Sequence, residues 1–212
     1  MENIIIVGAG GFGREVEWLI SRINQVNKKF NILGYADDNK TIGTKISKLE
    51  VISNINNIEK IEGTVNVAIA IGNSKVRKEI VKKLKEMKNV KFPNLIDPSA
   101  IVDTDIIKGE GNIICANSIA TVDLKINNFN IINLDCTIGH DDIICDFVTI
   151  YPSVNVSGNV VVNDCVEIGT GTQIIQGKII GKNSIIGAGS VVIRDIEENV
   201  TAVGVPTRVL TK

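Results

Sequence analysis

Residues 138–150 read Ile138-Gly139-His140-Asp141-Asp142-Ile143-Ile144-Cys145-Asp146-Phe147-Val148-Thr149-Ile150. An aliphatic residue stands at the first, seventh and thirteenth places. The same spacing runs outward in both directions without a slip, through Ile114, Ala120, Ile126 and Ile132 before it and Val156, Val162, Ile168, Ile174, Ile180, Ile186 and Val192 after it. Only Ala120 in this series is not β-branched. A helix repeats at 3.6 residues and a strand at 2, so neither requires a strict period of six. A chain that turns a corner every six residues does require it, because each apolar side chain then points to the axis of a coil. Three hexads complete a coil, so eighteen residues return the chain to the same face, one layer about 4.8 Å higher. Looser hexads around Ile96 and Val102 extend the array backwards, and it dissolves after Val192.

Ahead of the solenoid the pattern is different. Residues 3–7 form an apolar strand, residues 8–13 a glycine loop, and Val16, Leu19, Ile20 and Ile23 recur at helical spacing. A second strand at residues 32–36 ends at Asp37-Asp38-Asn39. Weaker elements follow at 51–52 and 55–61. A third strand at 65–71 ends at Gly72-Asn73-Ser74, where Ser74 is the expected N-cap of a basic helix over 75–88. Strands alternating with helices imply a small Rossmann-like parallel sheet. The expected fold class is therefore α/β plus all-β, with a sheet domain over residues 1–93 and a solenoid over 94–212. Pro93 and Pro98 mark the junction.

Composition agrees with stacked aliphatic layers: 44% of the residues are hydrophobic but only 4% aromatic. The net charge of −1 hides an asymmetry. Residues 1–93 hold 16 Lys and Arg against 10 Asp and Glu, while the remainder holds 7 against 14. A mildly basic first half suits a phosphate-bearing ligand, although such charge commonly marks a solvated helix face. No signal-peptide pattern and no spanning stretch of about twenty apolar residues is present, which points to a cytoplasmic protein. Cys115, Cys136, Cys145 and Cys165 form no Cys-x-x-Cys pair and read as reduced structural thiols, with no metal site expected. Cys136 stands two residues before Ile138, a packing position, and is not expected to act as a nucleophile.

His140 is the single histidine of 212 residues. It falls two places after the apolar position Ile138 and therefore near a corner, away from the axis. An imidazole ionises near neutrality and suits general-base work. Eighteen residues further on lies Gly158, so the neighbour one layer up has no side chain. That gap is a place for a ligand to approach, and an exposed Gly158 N–H there would suit a developing oxyanion. Asp141 is the expected orienting carboxylate, whereas Asp142 reads as a solvated corner residue. In the first half, Gly8-x-Gly10-x-x-Gly13 follows a strand and opens a helix, a context suited to phosphate binding, with Asp37 or Asp38 at the end of the next strand. A dehydrogenase is disfavoured, because the sheet domain is small and a solenoid follows it. A zinc-dependent carbonic anhydrase is excluded by the single histidine.

The hexad array together with Gly8-Ala9-Gly10-Gly11-Phe12-Gly13-Arg14-Glu15 and the closing Gly204-Val205-Pro206 resembles the bacterial hexapeptide-repeat sugar acetyltransferases. The likeness is to the subgroup that contains UDP-4-amino-sugar N-acetyltransferases and sialic acid O-acetyltransferases, and it spans nearly the whole chain. It implies a left-handed parallel β-helix, a homotrimer with each active site between neighbouring β-helices, and direct acetyl transfer from acetyl-CoA without an acyl-enzyme. The family's His–acidic pair falls on His140 and Asp141, and a polar position near its active site on Asn133. The resemblance further implies that Gly10, Gly11, Phe12, Gly13, Asp37, Asp38, Gly72 and Asn73 hold the nucleotide of a nucleotide-linked sugar. Acetyl-CoA is expected along the coils at main-chain atoms near Gly158, Thr170 and Ala188, with Arg194, Arg208 and Lys212 as candidates for its phosphates. One departure stands out: relatives in the amino-sugar branch commonly carry a second histidine nine residues after the first, where this chain has Thr149. N-acetylation of an amino sugar in surface glycan synthesis is the leading expectation. Sugar O-acetylation, or non-catalytic nucleotide-sugar binding, is the alternative.

Overall fold

The computed structural model describes residues 1–210. The chain divides into two compact units, with the division after Pro98. In the first, β1 (Glu2–Val7), β2 (Phe30–Ala36), β3 (Lys45–Ile46), β4 (Leu49–Ser53), β5 (Val65–Ile69) and β6 (Val90–Lys91) form one sheet in the order β3-β4-β2-β1-β5-β6. All neighbours are parallel except β3 and β4. Helices α1 (Gly11–Val26) and α2 (Ser74–Leu84) provide the crossovers. Strand β1 lies centrally, and Ile4, Ile5, Ile6 and Val7 are wholly inaccessible, as a strand covered on both faces must be. The sheet order reverses beside β1, and the crevice beyond the strand ends at such a point is where α/β sheets hold ligands.

The division falls at Pro98, the second of the two prolines that mark the junction, and so later than the expected end of the sheet domain at residue 93. Arg22 on α1 grips the buried Asp97 through Nε–Oδ2 and Nη2–Oδ1 contacts of 2.6 and 3.0 Å. That two-pronged pair holds the segment after Pro93 to the first unit.

The second unit is a left-handed parallel β-helix. From Ile113–Ile114 to Val191–Val192 a two-residue strand recurs at every hexad, and the second residue of each pair is the apolar one pointing inward. Registers are offset by eighteen residues throughout, as in Thr137↔Asn155, Ile143↔Val161 and Thr149↔Glu167. Three faces result. One carries Thr137, Asn155 and Gln173; the next Ile143, Val161 and Ile179; the third Ile131, Thr149 and Glu167. Their corners explain the period. A left-handed backbone residue recurs every six positions, at Asn117, Asp123, Phe129, Asp135, Asp141, Phe147, Ser153, Asn159 and Cys165, then Gly171, Gly177, Asn183 and Gly189, with φ between 55° and 72°. Asn, Asp and Gly adopt this region most readily, which is why they crowd the corners.

Candidate active site

The corner that joins Thr137–Ile138 to Ile143–Ile144 carries Gly139, His140, Asp141 and Asp142. Asp141 occupies the left-handed position of that corner, φ 63°. Its carboxylate meets the preceding side chain, with Oδ2 2.8 Å from His140 Nδ1. The two side chains are 54% and 60% exposed, so the pair is open to an incoming substrate. A carboxylate at Nδ1 selects the tautomer protonated there and leaves Nε2 as the basic nitrogen. The same carboxylate stabilises the imidazolium once Nε2 has taken a proton.

The stacking of His140 on Gly158 holds, but its geometry differs from the expected open gap. A Cβ placed on Gly158 would lie 2.5 Å from both Cε1 and Nε2 of His140. The imidazole itself fills the space, and Gly158 is buried beneath it instead of exposing its N–H. The physical reason is that a flat ring packs onto backbone wherever no side chain intervenes. The His140 carbonyl accepts from Asn159 N at 2.7 Å, which fixes the two corners one above the other.

Asp142 departs further from expectation. Instead of a solvated corner residue it is fully buried, and burial pushes its carboxyl up to about 7. Its oxygens accept from Gly139 N at 3.0 Å and Val160 N at 2.7 Å. The signal was present in the sequence, because Asp142 stands two residues before Ile144, as Cys136 does before Ile138, and both are inward positions. The Cys136 thiol is buried and its pKa is raised to about 11 by that burial, a poor nucleophile.

The remaining coil residues lie elsewhere. Asn133, Thr170 and Ala188 lie at the corner between the third face and the first, across the first face from His140 and Gly158. Asn133 turns its Oδ1 to Leu134 N at 2.7 Å, and Thr170 and Ala188 occupy equivalent places in successive coils. Thr149 is buried on the third face, beside Ile131 and Glu167, and does not share the His140 corner. Arg194 and Arg208 are exposed, and Lys212 lies outside the described residues. Among the described residues no group of three or more His, Cys, Asp or Glu is arranged to hold a metal ion, and no helix is long and apolar enough to cross a membrane.

In the first unit a cleft of about 430 Å³ opens beyond the strand ends, with Gly8, Asp37, Asp38, Asn39, Ile71 and Lys75 in its lining. The structure gathers the acidic candidates here but not all the others. Gly11 borders a separate shallow groove with Arg14, Glu15 and Trp18. Gly13 serves packing, since a Cβ there would lie 2.0 Å from Gly8 O. Asp37 is occupied by backbone: Oδ2 accepts from Ala9 N and Oδ1 from Asn39 N, both at 2.8 Å. Asp38 Oδ1 accepts from Ile55 N at 2.8 Å. Asn73, not Ser74, is the N-cap of α2, accepting from Val76 N at 3.0 Å. Arg77 is buried and donates to the carbonyls of Ile71 and Gly72 at 2.7 and 3.0 Å, so the loop after β5 is built from within. Sequence reasoning missed Arg77, because its place in a run of lysines looks like a solvated face.

A nucleotide-binding-like sheet unit followed by a left-handed β-helix with an exposed His–Asp pair defines a class, the acyltransferases of the hexapeptide-repeat type. Comparison with known proteins narrows it. Residues 3–84 match the family described as the PglD N-terminal domain. GDP-perosamine N-acetyltransferase of Escherichia coli O157:H7 is 31% identical over 187 residues, which cover 87% of this chain and 82% of that protein. The acetyltransferase domain of PglB from Neisseria gonorrhoeae, solved in complex with acetyl coenzyme A, superposes with a TM-score of 0.89 at 27% identity and covers 99% of both chains. Galactoside O-acetyltransferase of Lactococcus lactis matches 53 residues at 47% identity, where the chain spans about a quarter of that relative (26%). The chain belongs to the family of sugar acetyltransferases that join a PglD-type N-terminal domain to a hexapeptide-repeat β-helix.

Proposed function

We propose that the protein transfers the acetyl group of acetyl-CoA to the amine of a nucleotide-linked amino sugar. The observation that carries this reading is the 2.8 Å pairing of His140 Nδ1 with Asp141, which leaves Nε2 basic at an exposed corner. As the amine nitrogen bonds to the thioester carbonyl carbon, its proton passes to Nε2. Collapse of the tetrahedral species breaks the C–S bond, and the imidazolium returns that proton to the CoA thiolate. No acyl-enzyme is required, in keeping with the buried Cys136. Such a base contributes on the order of 10²–10⁴ in rate. The nucleotide is assigned to the cleft at Asp37 and Asp38, where Lys75 supplies a cation for a diphosphate.

Amine over hydroxyl is favoured because the relative matched over most of its length is a GDP-perosamine N-acetyltransferase, whereas the galactoside O-acetyltransferase likeness covers only 53 residues. The setting we assign is the cytoplasm, in supply of surface glycans. The homotrimer is favoured by two features. Ile143, Val161 and Ile179 form an outward apolar stripe on the face that follows His140. The candidate residues also fall on opposite edges of one face, so that His140 and Gly158 of one copy would complete a site with Asn133, Thr170 and Ala188 of the next. The test is thiol release from acetyl-CoA with GDP- and UDP-linked amino sugars and with sialic acid. Release with an amino sugar alone is expected; release with sialic acid alone would replace N- by O-acetylation. A solution mass of one chain would contradict the trimer.

A further inference from the structure

Among the described residues of the coils, Asp142 is the one ionisable Asp, Glu, Lys or Arg side chain that is fully buried, and the acetyl transfer above makes no use of it. It stands in an inward column between Leu124 in the coil below and Val160 in the coil above, both buried. Oδ2 accepts from Gly139 N, the residue that precedes the imidazole. Oδ1 accepts from Val160 N, two residues beyond the glycine on which the imidazole lies. One carboxylate thus ties the backbone carrying the base to the backbone supporting it. We infer that Asp142 is a positioning residue for acetyl transfer, fixing the His140 corner against the Gly158 corner so that the ring keeps Nδ1 on Asp141. This rests on His140 being the general base.

Neighbouring columns separate this role from ordinary stacking. Asn112 and Asn130 occupy the equivalent inward position and each accepts from the N–H eighteen residues on, at 2.8 Å from Asn130 N and 2.7 Å from Val148 N. The bond to the coil above is therefore a common device of this solenoid. The sideways bond to Gly139 needs a second acceptor oxygen, which an amide lacks. Asp142→Asn retains the first bond and loses the second, turning an NH₂ group toward the Gly139 N–H. The titratable groups beside Asp142 are His140 and Asp141 of its own corner, while the layers above and below are apolar.

The experiment compares the full-length wild type with D142N and D142S, because serine occupies the same inward place at Ser118, Ser184 and Ser190. As His140 is the only histidine, its ring resonances in isotope-labelled protein report ionisation and tautomer without ambiguity. In D142N we expect kcat to fall about 10- to 100-fold, the cost of a displaced catalytic group, with KM for acetyl-CoA unchanged. The His140 ring should also lose its single Nδ1–H tautomer. A D142N protein with wild-type kcat, pH profile and histidine tautomer overturns the inference, and D142S is read by the same criteria if D142N does not fold. Should neither variant fold, the wild-type spectrum decides. A His140 ring held as a single Nδ1–H tautomer supports the inference, and a ring that exchanges between tautomers overturns it. A wild type that releases no thiol with any acceptor would remove the base assignment, yet the tautomer comparison would still report on how Asp142 holds the corner.

Discussion

Both units place an aspartate beside a glycine-bearing turn, and the two carboxylates do opposite things. Asp141 at the coil corner turns to a side chain, His140 Nδ1, in solvent. Asp37 after β2 turns both oxygens to backbone N–H groups and pins the glycine loop. The difference comes from how each fold satisfies its main chain. In the solenoid the left-handed residue of each corner from Phe129 to Gly189 donates its N–H to a carbonyl of the adjacent coil, as Asn159 N does to His140 O and Asp141 N does to Val122 O. The side chain at that position, as at Asp141, is thereby released for chemistry. An irregular strand-to-helix loop has no such partner, and buried or half-buried N–H groups must find one among side chains. Acidic residues near a glycine loop are therefore recruited by the loop first.

His140→Ala probes the chemical side of this contrast and should have the largest effect. A loss of about 10²–10⁴ in kcat, with the fold and acetyl-CoA KM intact, is the expected outcome in steady-state thiol-release assays. Unchanged turnover would leave the corner structural, like its neighbours. Gly158→Ala should come next. Its methyl group would occupy the place of Cε1 and Nε2, so the ring must rotate off Asp141, and about a 10²-fold fall in kcat is expected. A crystal structure of that variant with His140 undisturbed would break the argument.

How much of this was visible in the residue order follows the same divide. Six-residue spacing of β-branched residues gave the coils, their eighteen-residue register and the meeting of His140 with Gly158, because a solenoid converts sequence offset directly into spatial offset. The identical arithmetic exposes Asp142, two places before Ile144, as an inward residue. A preference for solvated Asp at corners obscured it. The glycine loop offers no such conversion. That Asp37 serves Ala9 N across 28 residues, or that Arg77 lies within the loop it supports, depends on the path of irregular backbone. Nothing periodic announces it. The junction shifted for a related reason, since the Arg22–Asp97 pair spans 75 residues.

Asp37→Asn sharpens the other side of the comparison. The amide keeps one acceptor and leaves either Ala9 N–H or Asn39 N–H facing a donor, at a cost of about 1–3 kcal/mol for the unsatisfied group. Chemical denaturation should show that loss, while acetyl-CoA KM stays put. Asp142 sets a pH dependence of opposite sense to that of a carboxylate held ionised in an ion pair. Its folded pKa, about 7, lies above the ordinary 3.8, so the folded state holds more protons between those values. Its contribution to stability is complete below about pH 4 and is lost as pH rises through 7. The wild-type melting temperature should therefore fall from pH 5 to pH 8 more steeply than that of D142N. Equal slopes would show that the buried carboxyl ionises at its ordinary value.

The smallest effect separates a capping residue from a binding one. Asn73 belongs to the loop side of the comparison, with its Oδ1 on Val76 N at the start of an eleven-residue helix. Asn73→Ala removes an N-cap and should cost about 1 kcal/mol. Asn73→Asp keeps a capping oxygen and adds negative charge at the helix N-terminus, so stability should be preserved. The two substitutions differ in stability in either case, and acceptor KM tells whether the cap is the residue's whole role. Should the side-chain amide instead donate to the nucleotide, Asn73→Asp would raise the acceptor KM as much as Asn73→Ala does, and the added charge would repel a diphosphate. Measuring acceptor KM and melting temperature on the same pair of variants decides the matter: with the cap alone, KM is unaffected by either substitution and only the alanine variant melts early.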